Sequence, residues 1–447
     1  MSYKIFALNP GSTSTKIAMF EDDKPVFITK AVHTAEELAK YPKIADQLPY
    51  RRQTILDAVA AQGATLEGVD CFVARCGGLQ PCEGGVYAVT DKVVADCFSG
   101  YTVHPAILGG KLAQSFAEEF GGTALLLNPP DTDEFQDVAR VTGLHDVYRT
   151  SNVHMLNQKE TAIRAAAELG KKYEDCNFVV AHIGGGVSVT AHRKGKAVDS
   201  NSIIMGEGPM TPTRAGALPA IPFMDLCYSG KWTRDQMYDR LIKSGGFVDL
   251  LGTSEATDVT AMIDSGNKYA ELVYDAFIYQ IGKEIGAMAA VLHFDVDAIL
   301  LGGGIVHDKR VVDGLTQMCG KIAPIRAYPG EFEMEALAAG ALRALRGEEP
   351  IKTYTGVNVF QGFDHLKPRA YSLVSIPGPL CALAPGGPVL TIFLKGDALC
   401  ASSFWTAPPP TPVTCLGPPS PSWESWWSMI LPNRSRPSPG SRGPRWP

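Results

Sequence analysis

The sequence predicts an α/β protein made of two related halves. Two observations lead there. Short apolar runs alternate with longer, helically spaced segments as far as Lys367. The strand–turn–strand pattern that opens the chain also recurs near its middle.

Taken in order, residues 5–8 form a short apolar run, and 16–20 resume it after a polar turn. Residues 50–62 have helical spacing. Residues 71–74 read as a strand that Gly77 and Gly78 break. A helix is expected over 112–120, a strand over 123–127 and a long Ala-rich helix over 155–169. Residues 178–181 then repeat 5–8, and His182-Ile183-Gly184-Gly185 repeats Asn9-Pro10-Gly11-Ser12. The polar turns at 21–24 and 194–197 line up without a gap. Two unrelated hairpins would give part of this echo; two related domains give all of it. A last strand, 296–301, ends in Gly302, Gly303 and Gly304.

With 447 residues there is room for two or three domains. A net charge of −6 argues against a nucleic-acid surface or a polybasic membrane patch. Apolar runs such as 178–181 are far too short to span a bilayer. The N-terminus runs directly into a strand with no signal-peptide pattern, so a cytoplasmic location is expected. Cys71, Cys76, Cys82 and Cys97 cluster loosely but form no Cys-x-x-Cys pair, which favours reduced structural thiols over a metal or redox site.

Composition changes near Pro368. Beyond it lie about half of the 32 prolines, five of the six tryptophans and only two acids, with no helical or strand periodicity in strings such as 407–410 and 418–421. A Pro-rich interaction tail is one reading. A non-native or disordered extension is the reading preferred here.

The repeated turns suit phosphate. Glycine admits close backbone approach because no Cβ intervenes. The first turn offers Gly11 with the hydroxyls of Ser12, Thr13, Ser14 and Thr15, then Lys16; the second offers Gly184, Gly185 and Gly186, then Ser188. A Gly/Ser-rich hairpin turn without function would look similar. Neither turn fits a P-loop. The Gly302–Gly304 turn is open to a base or sugar at a strand end, and Gly245-Gly246 with Gly252-Thr253-Ser254 is a further candidate lining. For both, plain loop punctuation is the competing reading.

Asn9-Pro-Gly-Ser-Thr-Ser-Thr-Lys16, His182-Ile-Gly-Gly-Gly-Val-Ser-Val189, Pro212-Thr-Arg-Ala-Gly216 and Glu331-Phe-Glu-Met-Glu-Ala-Leu-Ala338 together resemble the acetate and butyrate kinases, with the butyrate branch fitting best. The resemblance covers the body and none of the tail. It implies two duplicated actin/Hsp70-like (ribonuclease H-like) domains with an active-site cleft between them. The first would span 1–156 with about 334–356, the second 157–333, leaving 357–447 as tail. It implies ATP and ADP as nucleotides, Mg²⁺, a short-chain fatty acid and its acyl phosphate as substrates, and a homo-oligomer. Residue by residue, Arg75, Arg214, His182 and His104 would be catalytic. Asn9, Ser12, Ser14, Lys16, Gly184, Gly185 and Gly186 would hold phosphates, and Gly302, Gly303 and Gly304 the adenosine. Asn9, Glu333 and Asp131 would serve the metal, with Glu331 and Glu335 as neighbours of Glu333.

The sequence departs from the family pattern twice. Cys76 stands in the usual Arg-Gly-Gly, where it adds a side chain at a point of close backbone approach to substrate and is expected to strain the turn or make activity sensitive to thiol reagents. Asn128 stands where the family has an Asp, which leaves Asp131 or Asp133 to approach the cation. The implied activity is transfer of the ATP γ-phosphoryl group to butanoate. Acetate, propionate and branched acids are alternatives, as are an Hsp70- or actin-like switch and a chain without activity.

Overall fold

The computed structural model describes residues 2–99, 104–145, 147–366, 390–395 and 398–403. The chain divides into two compact units, Met1–Gln361 and Gly362–Pro447. In the second, β13 (Leu390–Lys395) and β14 (Ala398–Ser403) pair as an antiparallel hairpin. The remainder of the expected tail lies outside the described residues, apart from 357–366.

The first unit holds two sheets. One comprises β1 (Lys4–Pro10), β2 (Ser14–Glu21), β3 (Lys24–Val32), β4 (Cys71–Ala74), β5 (Val86–Ala88), β6 (Thr123–Leu127) and β12 (Ile351–Lys352), in the order β12-β5-β6-β4-β1-β2-β3. The other comprises β7 (Asn177–Ile183), β8 (Val187–Arg193), β9 (Lys196–Ser200), β10 (Ala298–Gly303) and β11 (Ile325–Pro329), in the order β11-β10-β7-β8-β9. The two share a motif. β1 pairs antiparallel with β2 and parallel with β4, as β7 does with β8 and β10. The sequence echo is therefore a topological echo.

Residues 5–8 are apolar without interruption because both faces of β1 are covered. Ile5 and Ala7 pack against Met334, Leu337 and Ala341 of α6 (Glu333–Leu345). Phe6 and Leu8 turn to the opposite face. There they meet Ile55 and Val59 of α1 (Leu48–Ala61) and Leu112 and Phe116 of α2 (Gly109–Phe120). The second sheet is sandwiched in the same way. Phe178 and Val180 face Ala162, Ala165 and Ala166 of α3 (Met155–Glu168). Val179 and Ala181 face Phe277 and Ile281 of α4 (Lys268–Val291) and Leu315 of α5 (Lys309–Cys319). Because α6 follows the second sheet in sequence but packs on the first, the chain crosses between the lobes twice.

Residues 204–264 carry four short helices, Ala220–Cys227, Arg234–Ile242, Phe247–Leu251 and Ala256–Asp264, that apolar periodicity did not reveal. Among the described residues no helix is long and apolar enough to cross a membrane.

Candidate active site

The expected residues sit at the C-terminal ends of strands. Asn9 closes β1, Arg75 follows β4, His182 lies near the end of β7, and Gly302 and Gly303 end β10. Parallel α/β sheets present ligands at these edges.

The first turn is held tightly from behind. Gly11 N–H donates to the Ser14 carbonyl at 2.8 Å. Arg51, fully buried on α1, donates to the carbonyls of Gly11 (2.9 Å) and Ser12 (3.2 Å) and to Gln47 (3.0 Å). Burial pushes its guanidinium down to about 10. Thr15 is also fully buried, its hydroxyl 2.9 Å from His33 Nε2, so it belongs to this support and is not available to phosphate as expected. Ser12 and Thr13 stay exposed, Ser14 half-buried. Burial, then the charge of Arg51, pushes His33 down to about 4.

Across the cleft, Gly184 N–H donates to the Gly186 carbonyl at 3.0 Å. The Gly185 carbonyl is taken by the Thr211 and Thr213 hydroxyls (2.9 and 3.3 Å), which tie this turn to the loop carrying Arg214. A Cβ on Gly186 would lie 2.1 Å from Arg214 Nη1 and 3.1 Å from His154 Cε1. A side chain at this position would therefore force the Arg214 guanidinium to move.

A small pocket gathers Arg75, Asn128, Pro130, Val153, His154, Met155, Leu156, Asn157, His182 and Glu333. His182 and His154 stack with ring centroids 4.2 Å apart. Burial pushes His182 down to about 4. Burial, His182, Arg214 and Arg75 push His154 well below its usual value. Both imidazoles are therefore neutral at pH 7, and each can donate one N–H without adding a charge beside the arginines. Arg214 is half-buried and has no carboxylate partner among the described residues; its inaccessible Nε and Nη1 meet no acceptor. Arg75 makes no ion pair among the described residues, yet its charge is felt at His104, His154 and Glu331. His104 is lowered by burial, then Arg75 and Arg51. Its Nδ1 accepts from Ala106 N–H at 3.1 Å, which leaves Nε2 as the free edge.

At the mouth, the Asn9 amide donates to Glu333 Oε2, and Lys16 binds Glu331 at 2.9 Å and Glu333 at 3.8 Å. Burial alone would lower Lys16, but hydrogen bonding to Glu331 and the charges of Glu331 and Glu333 outweigh it and raise the ammonium. Glu331 also lines a larger cleft with Gly184, Gly185, Ser254, Thr257, Gly304, His307, Asp308 and Arg310. Gly304 and Ser254 thus share one cleft, joining two of the expected glycine groups. Gly303 has φ +100° and approaches Ile183 so closely that a Cβ would lie 2.4 Å from its carbonyl oxygen. Strand packing accounts for Gly303, whereas Gly304 faces the cleft.

The two departures resolve differently. Cys76 is fully buried, its sulfur 3.1 Å from that of Cys97, so it turns into the core and does not crowd substrate. Asn128 adopts φ +38°, which Asn tolerates, and its Oδ1 accepts from Gly85 N–H at 2.7 Å. Asp133 is committed to Arg140 in a buried two-pronged pair (2.6 and 2.7 Å), which removes it as a cation ligand. Asp131 takes N–H donation from Leu79, and burial pushes it up to about 6. Among the described residues no three His, Cys, Asp or Glu side chains converge on one point. A fully protein-made cage is not what Mg²⁺ needs. One or two carboxylates with substrate phosphates and water suffice, and the touching Asn9 amide and Glu333 carboxylate, with Glu331 beside them, supply such oxygens.

Two residues of the candidate site and its support escaped the sequence reading. Arg51 could have been flagged as a cation in register with the buried Ile55 and Val59. His154, just before α3, carried no motif of its own.

Residues 144–321 match a protein-family model described as the Acetokinase family, a stretch that includes His154, His182, Arg214 and Gly304. The chain is also similar to several solved structures. The acetate kinase of Porphyromonas gingivalis matches at 17% identity over 77% of this chain and 100% of that one, with a TM-score of 0.63. A propionate kinase from Francisella tularensis subsp. tularensis SCHU S4 gives 16%, 76%, 98% and 0.61. The acetate kinase of Entamoeba histolytica gives 13%, 75%, 98% and 0.59. These likenesses establish the fold, two actin/Hsp70-like lobes built on mixed sheets.

Proposed function

We propose, taking the acetokinase-family stretch and the paired lobes as premise, that this protein is a carboxylate kinase. It transfers the γ-phosphoryl group of ATP to a short-chain fatty acid, butanoate by preference, and runs reversibly. The observation that carries this reading is the meeting of Arg75, which makes no ion pair among the described residues, with two stacked neutral histidines in one small pocket, while Arg214, whose Nε and Nη1 meet no acceptor, flanks Gly186 together with His154.

A carboxylate acceptor is already ionised at pH 7, so its attack needs no general base. What the transfer needs is neutralisation of two approaching anions and of the charge that spreads over the moving phosphoryl oxygens. Arg75 and Arg214 supply positive charge. His182 and His154 supply N–H donors whose pKa values keep them neutral. The Asn9 turn, stiffened by Arg51, holds phosphate oxygens with Ser12, Ser14 and Lys16. The larger cleft at Gly304 and Ser254 takes the nucleoside. Mg²⁺, held at Asn9 and Glu333, neutralises phosphate charge when bound.

Pro130, Val153, Met155 and Leu156 give the small pocket apolar wall, which suits an acid with a short alkyl chain. Each methylene is worth only about 1–3 kcal/mol in such a pocket, so neighbouring acids are also substrates. An Hsp70-like switch has no use for the unpaired arginines. Acid-dependent ADP release with ATP, Mg²⁺ and a series of acetate, propionate, butanoate and isobutyrate tests the ranking. Butanoate should give the highest kcat/KM; a clear optimum at acetate would move the assignment to that substrate.

A further inference from the structure

We propose that Tyr173, His192, Gln158 and Ser188 form a buried relay that fixes the tautomer of His154 and presents its Nε2–H to the reacting group; the catalytic part of this rests on the carboxylate-kinase reading.

Every member of the relay is buried. Its polarity follows from which atoms can only donate or only accept. The Gln158 amide nitrogen sits 3.0 Å from the Ser188 carbonyl oxygen, an obligatory acceptor, and 2.7 Å from Ser188 Oγ. That assigns the NH₂ to this side and the carbonyl Oε1 to the other. Oε1 lies 3.2 Å from His192 Nε2, which must therefore carry a proton. Burial, then Lys159, pushes His192 down to about 3, so the ring is neutral and its Nδ1 is bare. That nitrogen accepts from the Tyr173 hydroxyl at 2.6 Å.

The other end follows the same logic. Ser188 Oγ accepts from Gln158, so its own proton needs an acceptor. His154 Nδ1 is 2.8 Å away and is its remaining partner among the described residues. A neutral imidazole has one N–H. With Nδ1 accepting, that N–H is on Nε2, the edge left for the pocket shared with Arg75, His182 and Glu333. Without the relay the ring would be free to carry its proton on Nδ1 and turn a bare lone pair toward an anionic phosphoryl group. Tyr173, His192, Gln158 and Ser188 touch no substrate; they are positioning residues.

Nitrogen-15 NMR of the full chain labelled at histidine reads the tautomer directly, with the His154 signals assigned by their loss in His154→Gln. The expected spectrum has a protonated Nε2 and an unprotonated Nδ1 for His154. A proton on Nδ1 in the wild-type protein overturns the proposal whether or not the protein is a kinase. Kinetics gives the second readout. Ser188→Ala should lower kcat at least tenfold, toward the roughly 10²–10³ expected for a lost donor, with KM for ATP little changed, and Ser188→Thr should restore most of it. Tyr173→Phe, at the far end, should leave the fold intact and keep the proton on His192 Nε2, which Gln158 Oε1 still accepts, with a smaller loss in kcat than Ser188→Ala. Unchanged kcat and an unchanged His154 spectrum in folded Ser188→Ala also overturn it. Absence of kinase activity with every acid would instead sink the functional reading and leave the tautomer result standing.

Discussion

Replacing Gly186 with alanine puts a methyl carbon where Arg214 now sits. The new Cβ would lie 2.1 Å from Nη1 and 3.1 Å from Cζ of that side chain. Ordinary contact begins at 3.4 Å, so the guanidinium must retreat by about 1.3 Å, the difference between 3.4 and 2.1. The backbone at Gly186 is not among the left-handed glycines, so alanine fits it. A glycine-to-alanine change at a compatible position stabilises by about 0.4–1 kcal/mol through the unfolded chain. A misplacement near 1 Å in a catalytic group costs roughly 10²-fold in rate, or about 2.7 kcal/mol of barrier. Gly186→Ala should therefore lose about 10²-fold in kcat/KM while its Tm stays level or rises. Acid-dependent ADP release and thermal unfolding measured on one preparation decide it. Near-normal kcat/KM would refute the role given to Arg214. A fall in Tm alongside the loss would show general damage instead.

Arg75→Ala and Arg214→Ala should each lower turnover by roughly 10²–10³ with little change in Tm, since neither breaks an ion pair; a mutant with near-normal turnover removes that arginine from the mechanism. Asp131→Asn tests the weakest metal assignment. Burial raises the Asp131 carboxyl to about 6, so its stabilising contribution is complete below its unfolded value and is lost as pH rises through about 6. The variant should gain Tm at pH 7.5, gain little at pH 4, and keep its Mg²⁺-dependent activity; loss of that activity would return Asp131 to the cation site. The buried neutral histidines have the opposite sign. His33 and His182 are lowered to about 4, so their contribution is present above pH 6.5 and lost as pH falls toward 4, by at most about 1.36 kcal/mol per unit for each. Thermal unfolding from pH 7.5 to 5 should show a falling Tm, and a flat profile would contradict their neutrality. Truncation after Lys367 should leave activity and solubility intact; loss of either would give the tail a function.

The strands and both glycine-rich turns were legible because their signals are local. An apolar run ending in Gly and Ser at a strand terminus is visible without knowing what packs on it. Arg75 and Arg214 became legible only through the motifs around them, since a lone arginine carries no local signature. The metal neighbourhood misled because Asp131 and Asp133 look alike in sequence. Folding pairs Asp133 with Arg140 and buries Asp131 against backbone N–H groups. His154 was missed for a related reason. The first turn of α3 buries Asn157, Gln158, Lys159 and Glu160, and apolar periodicity does not register buried polar side chains. Arg51 hid in plain register with Ile55 and Val59, where a hydrophobic residue is the usual occupant.

The central claim is that phosphate moves to a carboxylate. Hydroxylamine trapping tests it most directly: incubate the tail-free protein with ATP, Mg²⁺ and butanoate, and measure the hydroxamate formed from any acyl phosphate. The account predicts butanoyl hydroxamate in proportion to ADP, reduced roughly 10²–10³-fold in Arg75→Ala and Arg214→Ala. No hydroxamate from butanoate, acetate, propionate or isobutyrate, with nucleotide still bound, would contradict it.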